Sequence, residues 1–143
     1  MSVTGVSGAN LDISPNLDSP IKIEKTLPTL STEEYIRKYF SDEPILAEIA
    51  RCESQFRQQD KNGETLKGLV NKSDKGVMQI NEYYHGEKSE RLGFDIHTLE
   101  GNARYARFLF EKEGVRPWNS SSKCWKGTGA YKNYRTEIEL AKK

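Results

Sequence analysis

One amphipathic stripe constrains this chain more than any other feature. Ser41-Asp42-Glu43-Pro44 offers an N-cap, acidic first-turn residues and an early proline, and Ile45, Leu46, Ile49, Cys52 and Phe56 follow on a single helical face. The pattern predicts a helix buried along one side. Glu53 falls one residue round from Cys52 and four from Ile49, so its carboxyl is expected on the flank of the buried face, near the helix C-terminus. A carboxyl at an apolar boundary is held toward its neutral form, because burial penalises the charge.

The other elements are also mainly helical. Ser31-Thr32-Glu33-Glu34 has capping-box spacing ahead of Tyr35, Ile36, Tyr39 and Phe40, which predicts a short helix before the main one. Residues 81–91 read as a short helix and loop. Asp95 or Thr98 then opens the most regular helix, in which Leu99, Asn102/Ala103, Ala106 and Leu109/Phe110 recur at helical spacing until Gly114 stops it. Asn102 is the polar exception on that stripe. Its amide must find partners or cost about 1–3 kcal/mol, so it is expected to tie the helix to a neighbouring helix or loop. A loop-rich stretch over residues 117–129 carries Trp118, Cys124 and Trp125, and a last amphipathic helix with Tyr131, Tyr134 and Ile138 follows. Between Gln58 and Gly76 the chain is polar, and Thr65-Leu66 and Leu69-Val70 flank Lys67-Gly68 like the arms of a small hairpin. The fold class expected is mainly α (α+β), with that hairpin as the β part. Residues 1–30, rich in Ser, Gly, Asn, Asp, Thr and Pro, read as an extended or disordered arm or linker, and residues 31–143 as one domain.

Charge and cysteine usage narrow the classes of function. Lys and Arg number 22 against 21 Asp and Glu, so no basic surface argues for nucleic acid. No apolar run approaches the roughly 20 residues of a membrane span, and the first residues lack the basic start and hydrophobic stretch of a secretory signal. Cys52 and Cys124 are compatible with one long-range disulfide or with two buried thiols. A disulfide would close about 70 residues and favour an oxidising compartment. Neither cysteine has a metal-ligand companion, since His85 and His97 belong to no Cys-x-x-Cys pattern, and no metal or cofactor is expected. Asp60-Lys61-Asn62-Gly63-Glu64 lacks the offsets of an EF-hand and reads as a plain turn.

The chemistry is carried by two fragments, Glu53-Ser54 and, 23 residues downstream of Glu53, Gly76-Val77-Met78-Gln79-Ile80. Cleaving a glycosidic bond needs an acid that is protonated near neutrality, and Ile49, Cys52 and Phe56 surround Glu53 with the apolar groups that achieve this. A tie from Cys52 to Cys124 would bring both tryptophans to the same end. Flat aromatic faces and amides suit pyranose rings, which offer apolar faces and hydroxyls.

Five motifs occur in one order: Glu53-Ser54, Ser73-Asp74-Lys75-Gly76-Val77-Met78-Gln79-Ile80, Leu92-Gly93-Phe94-Asp95, Gly101-Asn102-Ala103 and Ala130-Tyr131. Over about residues 42–135 the chain resembles the transglycosylase SLT domain of the lysozyme-like superfamily, which includes the soluble lytic transglycosylases and the goose-type lysozymes. The resemblance implies a lysozyme-like fold, a peptidoglycan glycan strand as partner, and Glu53 as catalytic acid and then base. It implies further that Ser73, Met78 and Gln79 line the cleft, and that Tyr131 stands close to the acid. The interval from Glu53 to Gln79 exceeds the family pattern by about a hairpin, and Lys132 follows Tyr131 where the family has Asn. Two other readings belong to peptidoglycan: a hydrolytic muramidase, with Asp60 or Asp74 as second carboxylate, and a noncatalytic peptidoglycan-binding or virion structural module. A small secreted inhibitor or effector is a further alternative. A monomer acting extracellularly, in the periplasm or at the cell wall is expected.

Overall fold

Most helices begin where a short polar side chain caps them. In the computed structural model, which describes residues 29–143, Ser31 Oγ accepts the Glu34 N–H at 3.1 Å and the Glu34 carboxylate accepts the Ser31 N–H at 2.8 Å, starting α1 (Thr32–Tyr39) as expected. The expectation of an extended arm over residues 1–30 lies outside the described residues, apart from Thr29 and Leu30. Helix α2 (Pro44–Ser54) has its proline in the first turn but no side-chain cap at Glu43. The Asp42 carboxylate is engaged elsewhere: Arg107 donates to both its oxygens, at 2.9 and 3.0 Å. Asn81, Thr98 and Thr128 cap α3 (Glu82–Arg91), α4 (Leu99–Glu113) and the last helix (Gly129–Ala141), and Gly114 closes α4 at φ 63°.

The stretch expected to be loop-rich is helical instead. A 3-10 helix (Arg116–Ser121) runs into α5 (Ser122–Trp125), which makes the last helix α6. The two tryptophans explain the order, since Trp118 and Trp125 are buried and short helical turns satisfy the backbone around them.

Ile45, Leu46 and Ile49 of α2 are completely buried, in one core with Ile36 and Phe40 of α1, Ala103 and Ala106 of α4, and both tryptophans. Fully burying each such aliphatic side chain contributes about 1.5–3 kcal/mol, so the stripe read from the sequence is the main apolar anchor of the Glu53 helix. The chain is mainly α with one small antiparallel sheet among the described residues.

The sheet is not where the sequence suggested. Strands β1 (Asp74–Lys75) and β2 (Ile80–Asn81) pair with Asp74 opposite Asn81 and Lys75 opposite Ile80. Leu69 and Val70, expected as a hairpin arm, are wholly exposed, at 99% and 101%. The backbone before them pairs elsewhere: Thr65 bridges Gln59, Lys67 bridges Lys75, and the Gly68 N–H donates to the Asp74 carbonyl at 2.9 Å. Residues 69–73 are therefore a projecting turn on the rim of the real hairpin. Gly68 is required there, because a Cβ would come within 2.9 Å of Gln79 Oε1.

Buried side chains hold the turn of that hairpin. The Val77 carbonyl accepts from Ser54 Oγ at 2.8 Å and the Val77 N–H donates to Gln58 Oε1 at 2.9 Å. Asn102 Oδ1 accepts the Met78 N–H at 2.9 Å, while its Nδ2 donates to the carbonyls of Lys75 and Ile96 at 2.9 and 2.8 Å. Trp118 Nε1 donates to the Met78 carbonyl at 2.9 Å. Gly76, at φ 76°, has no room for a Cβ between the Gln58 and Asn102 side chains. Asn102→Ala is expected to lower unfolding stability by about 1–3 kcal/mol, because it orphans the buried Met78 N–H and takes one bond each from the Lys75 and Ile96 carbonyls, the second of which keeps its bond from Gln58 Nε2. Urea denaturation measures this, and a loss below about 1 kcal/mol would show that the amide is not the tie.

Candidate active site

Glu53 sits at the end of α2 between a covalent brace and a reversed chain direction. Cys52 and Cys124 form a disulfide with a Cα–Cα distance of 5.9 Å and a sequence separation of 72. Closing a loop of that length contributes about 4 kcal/mol on the chain-entropy model. The bond fixes α5 and the preceding 3-10 turn beside Glu53, and Ser121 Oγ donates to Glu53 Oε2 at 2.6 Å. After Ser54 the chain turns sharply through Gln55 and Phe56, both left-handed at φ 55° and 61°. Non-glycine residues hold that conformation at a cost of roughly 1–2 kcal/mol each, and here they end α2 one residue past the Ser54 tie to Val77.

Burial pushes the Glu53 carboxyl above its ordinary value of 4.5. The Ser121 hydrogen bond pulls it back, and the negative charge of Asp74 adds to the rise. Both carboxyls line one cleft of about 300 Å³ with Gln79, Asn81, Tyr84, His85, Glu113 and Trp118. Asp74 Oδ1 accepts from Asn81 Nδ2 at 3.0 Å, across the paired positions of the hairpin. Burial holds the His85 imidazole below its usual range, with Glu113 opposing and Lys88 reinforcing that shift, and His85 Nδ1 lies 2.9 Å from the Tyr105 hydroxyl. A larger groove of about 690 Å³ runs along α3 and residues 93–97 but contains neither Glu53 nor Asp74. Its Glu82 carboxylate is engaged by His97 at 2.6 Å and Lys75 at 3.7 Å. The smaller cleft is therefore the better candidate for chemistry.

Of the residues singled out in the sequence, Glu53, Asp74 and Gln79 come together in this cleft. Gln79 is left-handed at φ 51°, and its amide Nε2 donates to the Gly76 carbonyl at 2.9 Å, which sets the side chain against its own turn. Met78 does not line the cleft. Its side chain is completely buried in the core, and its backbone makes the contacts to Asn102 and Trp118. Ser73 is half-buried outside the cleft lining, and its carbonyl accepts the Glu82 N–H at 2.7 Å. Tyr131 also lies off the lining, with its ring 5.3 Å from Trp125. Asp60 is elsewhere too: its Oδ1 accepts the N–H groups of Asn62 and Glu64 in the turn predicted for that stretch. No group of three or more His, Cys, Asp or Glu side chains among the described residues is arranged to hold a metal ion.

Ser121, Gln58 and Asn81 are the residues that sequence reasoning missed. For Ser121 a signal was present, since it lies one helical turn before Cys124 and the pairing of Cys124 with Cys52 carries it to the neighbour of Cys52, Glu53. Gln58 is an ordinary loop residue until the hairpin turn folds against it, and Asn81 reads as the start of a helix until its strand pairs with Asp74.

Compared with protein-family models, curated proteins and solved structures, the chain has no match in any of the three. The cleft is thus read from its own chemistry. A carboxyl with a raised folded-state pKa contributes stability below the ordinary value of 4.5 and loses that contribution as pH rises through its folded pKa. Glu53→Gln removes the ionisation while keeping an acceptor for Ser121. The variant is expected to melt at a higher temperature than the parent at about pH 7, with the gap closing as pH falls toward 4. Thermal melts across pH test this, and a gap independent of pH would contradict burial as the source of the shift.

Proposed function

We propose that this chain is a lysozyme-like lytic transglycosylase that cleaves the β-1,4 bond between N-acetylmuramic acid and N-acetylglucosamine in peptidoglycan. The observation that carries this reading is Glu53, a half-buried carboxyl held toward its protonated form in a cleft with an aromatic and amide lining. Three of the five ordered motifs support it, since Ser54, next to the acid, bonds to Val77, and Asn102 bonds to Met78 and Lys75, which ties those fragments together. Glu53 protonates the oxygen leaving C1 of the muramic acid residue. As a carboxylate it then takes the proton from that sugar's C6 hydroxyl while O6 bonds to C1, which gives a 1,6-anhydro end and consumes no water. Tyr84 supplies an exposed ring face and Gln79 an amide along the strand's path, with the buried Trp118 behind them. The disulfide is of the kind that persists in oxidising surroundings, which supports action at the cell wall or elsewhere outside the cytoplasm.

A second reading is favoured by one specific observation. Asp74 lies in the cleft with Glu53 and is oriented by Asn81, as a hydrolytic muramidase would require of the carboxylate that directs water or stabilises the sugar cation. Asp60 has no such position.

Digestion of purified peptidoglycan, with mass analysis of the released muropeptides, separates the routes. Anhydro-muropeptides are expected, with the rate falling about 10²–10⁴-fold in Glu53→Gln. Asp74→Asn is expected to leave anhydro products within about tenfold of the parent rate. Reducing-end products that disappear in Asp74→Asn would move the assignment to the hydrolase, and full activity in Glu53→Gln would remove Glu53 as the acid.

A further inference from the structure

We infer that Ser121, its hydroxyl aimed by the Trp125 indole, is a positioning residue that gives the two oxygens of Glu53 different tasks: Oε2 is a standing hydrogen-bond acceptor, and Oε1 releases and recovers the proton. The inference rests on the reading of Glu53 as general acid and deepens it.

A serine hydroxyl holds one proton and two lone pairs. Trp125 Nε1, which can only donate, points its N–H at Ser121 Oγ at 3.0 Å and so occupies one lone pair. The single Ser121 proton then has two acceptors within reach, Glu53 Oε2 at 2.6 Å and the Trp118 carbonyl at 3.1 Å. With Glu53 ionised, the shorter and charge-assisted bond to Oε2 is preferred. With Glu53 protonated, the two carboxyl oxygens become inequivalent. A proton on Oε2 would be donated to the second lone pair of Ser121 Oγ, with the Ser121 hydroxyl turned to the Trp118 carbonyl, and would face Ser121 instead of the glycosidic bond, whereas a proton on Oε1 leaves the Ser121 bond as it is. Ser121 therefore occupies Oε2 in either case and leaves Oε1, which accepts no hydrogen bond among the described residues, as the oxygen that can pass a proton to the glycosidic oxygen.

The proton balance of the reaction then closes on one atom. Oε1–H passes its proton to the oxygen leaving C1, and that oxygen keeps the electron pair of the broken bond. Oε1 later takes the C6 hydroxyl proton as the O6–C1 bond forms, so Glu53 ends as it began. Ser121 stays bonded to Oε2 through both steps. The support behind it is stiff, because Trp125 is completely buried and follows Cys124, which is covalently joined to the neighbour of Glu53. Asp74 from β1, His85 from α3 and Glu113 from α4 are the titratable groups sharing the cleft with Glu53. None of them hydrogen-bonds to Ser121, so the Trp125 indole reports on Glu53 through the Ser121 hydroxyl.

The test follows the Trp125 indole N–H by ¹⁵N-resolved NMR and the Glu53 carboxyl by ¹³C across pH, in the full chain. In the parent protein the indole signal is expected to shift with the same midpoint as the carboxyl, and in Glu53→Gln that step vanishes. In Ser121→Ala the carboxyl midpoint moves to higher pH, the indole no longer follows, and kcat on peptidoglycan falls about 10- to 100-fold with KM little changed, the scale of one hydrogen bond to a charged group. Ser121→Thr, which keeps a hydroxyl, restores the coupling and most of kcat. An indole signal without a step at the Glu53 midpoint overturns the inference, as does a Ser121→Ala protein with parental kcat and an unmoved carboxyl midpoint. If the parent protein cleaves no peptidoglycan, or Glu53→Gln remains fully active, it is the enzymatic reading that fails. The two NMR midpoints still decide whether Ser121 links Glu53 to Trp125.

Discussion

Residues 76–78 are non-regular backbone pressed into the core, and the rest of the fold is arranged to satisfy their polar groups. Val77 and Met78 are completely buried, so neither N–H nor carbonyl can turn to bulk water. An unpaired group there would cost about 1–3 kcal/mol. Partners arrive from separate parts of the chain: Ser54 at the end of α2, Gln58 in the following turn, Asn102 on α4 and Trp118 on the 3-10 helix. Since one side chain can reach the turn from each direction only if its own element is correctly placed, these bonds fix the relative positions of those elements more sharply than apolar packing could.

Glu53 inherits its properties from that arrangement. The Ser54 bond anchors the last turn of α2, the left-handed pair Gln55 and Phe56 ends it at once, and the disulfide sets Ser121 against the carboxyl. Burial and Asp74 favour the neutral acid, while Ser121 favours the anion. A carboxyl pulled both ways is suited to giving up a proton and taking one back, because neither state is strongly trapped. The three left-handed non-glycine residues among the described residues, Gln55, Phe56 and Gln79, flank this region and occur nowhere else, which is where backbone strain is commonly retained for function.

Much of the helical frame was legible because its signals are local. The Ser31 capping box, the stripe from Ile45 to Cys52, the Thr98 cap and the Gly114 stop each depend on residues within a turn or two of one another, and each lies where the spacing put it. Phe56, expected on the same face as that stripe, falls instead past the helix end at φ 61°. Asn102 was legible as an exception, since a polar amide on an apolar stripe needs partners, but its partners were not. The hairpin was misread for the same reason. Leu69 and Val70 have the composition of strand residues, yet the strand positions go to Asp74–Lys75 and Ile80–Asn81, whose pairing is set by tertiary ties to the turn between them.

The candidate site divides along the same line. Sequence by itself determined that Glu53 stands on the flank of a buried helix face, that Asn102 must be satisfied inside the domain, and that Cys52 and Cys124 were available to pair. Only the tertiary structure decided that they do pair, that Asp74 shares the cleft while Asp60 does not, that Met78 and Tyr131 lie off its lining, and that Ser121 meets the carboxyl. The physical reason is range. Helix faces and caps are set by contacts a few residues apart, whereas the neighbours of Glu53 come from β1, α3, α4 and the 3-10 turn, and their convergence depends on how the buried backbone of residues 76–78 is paired.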